Sequence, residues 1–274
     1  MSRGPRDDPY LDVDRSGDPR GLAKLLELRG GQGSQAALRR AFLAFVGIRQ
    51  GWRVLDVGCG TGVMSRALAA EVGRAGRVEG IDPSRAFIGV ARRLGRAAGP
   101  GSRLAFRVGD GAALPYPDEA FDAVLAVTVL LHVTESERIL EEMVRVTRPG
   151  GRVAVLDQDF GTLALDHEDR ALTRRILDTH TDRYYADGWS GRSLLRRLRA
   201  LGLARVRLRP FVVVETAYDP YIRSLLERRV KLCRRWRVIS RAEGRTWLGV
   251  VEARAREGAF FLSLNYYGAV GVRR

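Results

Sequence analysis

The sequence predicts an α/β protein built on one seven-stranded, mostly parallel sheet with helices on both faces. Three observations carry that expectation. From Arg53 onwards short apolar segments alternate with helical patterns, the rhythm of βαβ units. A glycine-rich turn, Gly58-Cys59-Gly60-Thr61-Gly62, comes after the first apolar segment. The chain has 274 residues, room for one large or two small domains, and its 45% apolar content suffices for a sizeable core.

Taken in order, Gly21–Leu28 and Ser34–Val46 read as N-terminal helices, with Ser34 as N-cap and Leu38, Phe42, Phe45 and Val46 on one apolar face. Arg53–Val57 is a strand, Val63–Val72 a helix, Arg77–Ile81 a strand and Ser84–Ala97 a helix. Leu104–Val108 is a strand, then come the proline-containing loop Leu114–Pro117 and the strand Phe121–Val127. Glu135–Val146 is a helix, and Gly151–Leu156 a strand after the turn Pro149-Gly150. Beyond it, helices fall at Glu168–His180 and Gly191–Leu201, and a strand at Ala204–Glu215. A helical stretch of about 40 residues, Asp219–Glu257, places Ile222, Leu225, Leu226, Val230, Cys233 and Trp236 on one face. Ala259–Val272 closes as a strand. The division is an N-terminal helical segment (1–47), a core (48–218), a helical cap inserted between the last two strands (219–257) and the final strand (258–274).

Composition narrows the function. The net charge is +15, yet Lys24 and Lys231 are the only lysines, as GC-rich coding would produce. Between Arg170 and Arg245 there are 20 basic against 7 acidic residues, which reads as an arginine-covered helical surface, with adjacent pairs such as Arg196-Arg197 and Arg228-Arg229 on exposed faces and Arg174, Arg175 or Arg192 open to a carboxylate or phosphate on a small acceptor. Met1–Asp14 has no apolar stretch for a signal peptide, and the apolar run Ala123–Val133 is too short to span a bilayer. Two cysteines, Cys59 and Cys233, supply neither a disulfide framework nor zinc spacing; no metal is expected, and the location expected is cytoplasmic.

The segment Val54-Leu55-Asp56-Val57-Gly58-Cys59-Gly60-Thr61-Gly62 joins a buried strand, an acid and glycines at every second position. Glycine there permits positive φ and lets a ligand approach the backbone. A dinucleotide fingerprint would place its third glycine at position 63, which is Val63, and no Gly-Lys-Ser/Thr comes next for a phosphate loop. Asp56 suits a cationic ligand. Gly80-Ile81-Asp82 ends the second strand with an acid placed for ribose hydroxyls, and Val108-Gly109-Asp110-Gly111 ends the third with one placed for an adenine amino group.

These stretches resemble the core of class I S-adenosylmethionine-dependent methyltransferases, especially the ubiquinone/menaquinone-biosynthesis type and its small-molecule relatives. The matching residues are Val54–Gly62, Gly80–Ser84, Gly109–Val124 and Arg145–Asp157, about 40% of the chain. The resemblance implies a Rossmann-like fold and S-adenosylmethionine as cofactor. It further implies that Asp56, Gly58, Cys59 and Gly60 line the methionine portion and Asp82 with Pro83 the ribose. Asp110 and Gly111 would hold the adenine, and Thr128 would sit beside the cofactor.

For the acceptor, His132 comes after the fourth strand near the expected methyl position and suits a general base, or else satisfies loop backbone. Asp157, with Gln158 and Asp159, ends the fifth strand, where it would orient or deprotonate an acceptor, or cap the next segment of chain. The aromatics Tyr184, Tyr185, Trp189 and Trp236 would stack a planar acceptor or shield a sulfonium. The leading expectation is methylation of a small metabolite at carbon, nitrogen or oxygen. One alternative is an RNA or DNA methyltransferase, disfavoured because Thr128-Val129-Leu130-Leu131 replaces the Asn/Asp-Pro-Pro-Tyr of base-amino methylation. Another is a cofactor-bound cyclase or non-catalytic scaffold on the same fold. Oligomeric state is not encoded in any motif.

The arginine surplus gives a first test. Binding to a mixed RNA pool should be weak and lost by physiological salt, since phosphate contacts release counterions. Sub-micromolar affinity surviving at physiological salt would instead put the RNA methyltransferase first.

Overall fold

The computed structural model describes residues 7–97 and 103–274; the first six residues of the stretch weighed as a signal peptide lie outside them. A 3-10 turn, Val13–Arg15, precedes helices α1 (Pro19–Gly31) and α2 (Gly33–Val46). Then come β1 (Arg53–Val57), α3 (Val63–Val72), β2 (Arg77–Asp82), α4 (Arg85–Ala97), β3 (Leu104–Val108), β4 (Phe121–Val127), α5 (Ser136–Val146) and β5 (Thr147–Leu165). The second half holds α6 (Arg170–Tyr184), α7 (Ser190–Ala200), β6 (Ala204–Glu215), α8 (Pro220–Arg235), α9 (Arg241–Arg256) and β7 (Leu262–Val272).

The strands make one sheet in the order β3-β2-β1-β4-β5-β7-β6. The five from β3 to β5 pair in parallel, and β7 runs antiparallel to both neighbours. After β1 the chain steps outward through β2 to β3, then crosses back to β4 on the other side of β1. Connections leave the carboxyl ends of β1 and β4 in opposite directions, which opens a crevice there.

Strand periodicity explains the two faces. Val54, Ala123, Leu125, Ala154 and Leu156 point into one core with α2, α3, α6, α8 and α9. Leu55, Val57, Val124, Ala126, Val153 and Val155 point into the other with α5 and α7. In the first core Phe42 is fully buried and meets the Phe211 ring edge-on at 6.1 Å, tying α2 to β6.

Four expectations are corrected. Helix α2 begins at Gly33 with Gln32 as N-cap, and the Ser34 hydroxyl donates to Glu215 instead of capping. Strand β5 does not stop at Leu156; Asp157, Gln158 and Asp159 lie inside it, paired with Tyr267, Tyr266 and Asn265 of β7. Their side chains are satisfied by partners distant in sequence, Ser190, Tyr266 and Arg192. The helical stretch Asp219–Glu257 breaks into two helices. Arg237 adopts a left-handed φ of 58°, and Ser240 with Glu243 forms a capping box that starts α9. Finally, Arg197 is not on an exposed face but buried, its Nε 2.9 Å from Glu137.

The inserted helices are part of the core. Trp247 of α9 is fully buried, donates its Nε1–H to Thr173 at 2.9 Å and stacks on His167. No helix among the described residues is long and apolar enough to cross a membrane.

Burial makes the load on α2 measurable. Phe42→Ala should cost about 3–5 kcal/mol, whereas Arg196→Ala, on an exposed face, should stay within about 0.5 kcal/mol. Urea unfolding of both variants checks this, and a loss below about 1 kcal/mol for Phe42→Ala would remove α2 from the core.

Candidate active site

A cavity of about 410 Å³ opens at the crevice. Its floor is the β1–α3 turn. Gly58 and Cys59 both donate backbone N–H groups to the Ile81 carbonyl, at 2.8 and 3.0 Å, so the turn folds against the end of β2. Gly58 and Gly60 have φ of 67° and 53°, and a Cβ on Gly58 would lie 2.5 Å from a Val129 methyl. Only glycine meets both conditions.

Two acids shape this floor. Asp56 ends β1 almost fully buried, accepts from the Ser65 hydroxyl, and is pushed up to about 7. Burial is the main cause; nearby Asp82 adds to it and the Ser65 bond opposes it. Asp82 accepts the Gly60 and Ser84 N–H groups, each at 2.9 Å, which partly offsets the burial that raises it to about 6. Asp14 binds the start of α4 through Ser84, Arg85 and Ala86 and adds a further acid to the rim.

Of the sequence-predicted cofactor residues, Asp56, Gly58, Cys59, Gly60, Asp82, Pro83 and Thr128 all line this cavity. Thr128 has a φ of 56° and turns the chain out of β4. Burial pushes the Cys59 thiol well up, so it packs as a small apolar group rather than a nucleophile. Asp110 and Gly111 do not line the cavity; Asp110 is exposed and accepts the Ala112 N–H.

The residues present fit S-adenosylmethionine. Asp56 would offer a carboxylate to the cofactor's ammonium. Arg29, from the end of α1, donates to Thr128 at 3.5 Å and would offer a cation to the cofactor's carboxylate. Each oxygen of Asp82 receives one backbone N–H, which leaves acceptor capacity for ribose hydroxyls. The Thr61 hydroxyl, on the same wall, is buried without a hydrogen-bond partner among the described residues.

The opposite wall comes from α6, α8 and the N-terminal segment. Tyr184 and Tyr185 line it as expected, Tyr185 stacked on Phe160 with centroids 4.5 Å apart. His132 also lines it, with Nδ1 2.5 Å from a carboxylate oxygen of the buried Asp8. Asp157, Trp189 and Trp236 do not. Asp157 is fully buried and accepts from the Leu131 N–H and the Ser190 hydroxyl, so it pins the β4 loop to α7. Trp189 is half exposed under the Arg192 guanidinium, and Trp236 donates to Asp7.

Sequence reasoning missed Asp8, Tyr10 and Arg29, which no local pattern marks as functional. Arg229 did carry a signal. It shares the apolar stripe with Ile222, Leu225, Leu226 and Cys233 at helical spacing, so a charge stood where a core residue belonged. It is 1% exposed and lines the cavity beside Arg228. The expectation that Arg228 and Arg229 form a solvated pair is therefore corrected. The arginines expected to meet an acceptor are placed elsewhere. Arg175 pairs with Glu243, Arg192 with Asp159, and Arg174 is exposed.

Known proteins resemble this chain in sequence and in fold. Residues 54–151 match the family described as a methyltransferase domain. The chain is 36% identical over 146 residues to the methyltransferase GfsG of Streptomyces halstedii, 51% of each protein. It is 38% identical over 111 residues to the ubiquinone/menaquinone biosynthesis C-methyltransferase UbiE of Hahella chejuensis, 40% of this chain and 45% of that one. The chain thus spans about half the length of the curated relatives it matches. In fold it is similar to phosphoethanolamine N-methyltransferase 2 of Haemonchus contortus, solved with S-adenosylhomocysteine. The TM-score is 0.61 at 16% identity, covering 100% of this chain and 61% of that one. Residues 54–151 thus match the methyltransferase-domain family, and over this core the chain resembles the ubiquinone/menaquinone-biosynthesis type.

Proposed function

We propose that this protein transfers a methyl group from S-adenosylmethionine to a small-molecule acceptor held between the β1–α3 turn and the aromatic wall of α6 and α8. The observation that carries the reading is the single cavity that joins the two. Asp56, Gly60 and Asp82 stand on one side of it, and Tyr184, Tyr185 and His132 on the other. The matched family and the relatives' names support methyl transfer, and a mostly apolar lining with a few polar groups supports a small acceptor. The buried, unpaired thiols Cys59 and Cys233 favour a cytoplasmic location.

The bound cofactor would supply a methyl group on sulfonium, open to in-line displacement. The chain's own residues align the acceptor, exclude water and hold the proton that leaves. His132 is the base. Its Nδ1–H donates to Asp8, which fixes the tautomer and leaves Nε2 to accept a proton from the acceptor as the new bond to carbon forms. Asp8 is a positioning residue for that ring. Tyr185 meets the His132 ring at 5.7 Å and closes it from behind.

Two outcomes test this. With methyl-labelled cofactor, label should enter a small-metabolite extract and not total RNA; label in RNA alone overturns the acceptor class. His132→Ala should then lower kcat about 10²–10⁴-fold with S-adenosylhomocysteine affinity within a few-fold. An unchanged kcat would return His132 to a structural role.

Cofactor binding should also depend on pH. Asp56 holds its proton in the folded chain up to about 7, well above its ordinary value of 3.8, so the empty protein loses stability as pH rises from about 4 towards 7. An ammonium beside Asp56 favours the ionised form, so affinity for S-adenosylhomocysteine should rise over the same interval, with proton release below about 7. Calorimetry in buffers of different ionisation heat reads that release. Asp56→Asn should weaken binding and flatten the profile, and Gly60→Val should abolish binding. A flat profile in the unaltered protein would separate Asp56 from the ammonium.

A further inference from the structure

The cap end of the cavity holds more positive charge than the protein neutralises. Arg229 donates one Nη1–H to the Leu225 carbonyl of its own helix, at 2.9 Å. Its Nε and Nη2 have no hydrogen-bond partner among the described residues, although the side chain is buried and its guanidinium lies 5.2 Å over the Phe160 ring. Neighbouring Arg228 donates to the Tyr184 hydroxyl at 3.0 Å. His180, also 1% exposed, has neither ring nitrogen bonded among the described residues and stacks on Tyr184 at 4.6 Å. All three line the same cavity.

Among the described residues no carboxylate pairs with Arg228 or Arg229. The nearby acid, Asp8, is engaged by His132 and by the Tyr10 N–H. Elsewhere the chain does neutralise a buried guanidinium, since Arg197 meets Glu137. An unpaired buried cation is costly, and its removal or its pairing relieves that cost. The cofactor's own carboxylate has a different cation, Arg29, on the β4 side of the cavity.

We propose that the methyl acceptor carries an anionic oxygen group, a carboxylate or a phosphate monoester, and that Arg228, Arg229 and His180 bind it. The two arginines bring planar donor forks matched to such a group, and the histidine brings a ring N–H. Phe160, Tyr184 and Tyr185 beside them suit a planar body attached to the anion. The inference rests on the methyl-transfer reading and names the substrate class for it.

The test uses the full chain saturated with S-adenosylhomocysteine and three probes, benzoate, phenyl phosphate and neutral benzamide, read by thermal melting. Benzoate or phenyl phosphate should raise Tm in proportion to concentration, the larger response identifying the preferred anion, and benzamide should not. Arg229→Met and Arg228→Met should each weaken the anion response by about tenfold or more while keeping the S-adenosylhomocysteine response. Without ligand, Arg229→Met should melt above the unaltered protein because an unpaired buried charge is gone. The proposal is overturned if no anion shifts Tm, if benzamide does so equally, or if Arg229→Met leaves the anion response intact. It is also overturned if the anion response appears only without S-adenosylhomocysteine, which would make this the cofactor's carboxylate site. Failure of S-adenosylhomocysteine itself to raise Tm would count against the methyl-transfer reading instead.

Discussion

Strand β1 is hydrogen-bonded on both edges and covered on both faces, and the rest of the protein is arranged around that confinement. Val54 and Leu55 are fully buried in opposite cores, with β2 on one side and β4 on the other. A strand so enclosed can offer polar chemistry only at its end. Asp56, next to last in β1 and paired on both edges, stands two residues before Gly58, and burial pushes its carboxyl up to about 7. The same enclosure fixes β4, whose last residues turn out through Thr128 towards His132. The acids after β1 and the imidazole after β4 face one cavity because two neighbouring strands end at one crevice.

The acceptor side is built differently. The floor is backbone and acid; the far wall is aromatic and arginine, supplied by helices that come after β5 and β6 in sequence. Trp247 ties α9 to α6, and α8 packs between α6 and α9. A wall anchored so firmly presents its cations in place, and the electrostatic cost of holding Arg229 without a counter-ion is borne by the surrounding core. Such pre-set donors lose little on binding an anion, because no side chain has to be ordered.

How much was legible depends on where the partners lie. Strands β1, β3, β4 and β6 begin and end where apolar pattern and turn residues place them, because both signals are local. The cofactor floor was legible for the same reason: Asp56, Gly58 and Gly60 lie within five residues, and Asp82 ends the next strand. Strand β5 was truncated in the reading because Asp157 and Asp159 look like an exit to solvent. Each is in fact satisfied by a residue 33 positions on, Ser190 and Arg192, and no spacing encodes that. Asp8 and His132 are 124 positions apart, so their pairing belongs to the fold alone.

The position of β7 sets the order in which the sheet can be assembled. Residues 262–272 lie between β5 and β6, and among the described residues β7 is the only strand neighbour of β6 in the sheet order. During synthesis β6 leaves the ribosome well before the strand that will hold it, with both helices of the insertion still to come. The parallel half, β1 to β5, has all its pairings available by then. One half of this sheet can form as it emerges, while the other waits, its longest edge strand unpaired, for the final antiparallel strand to be released.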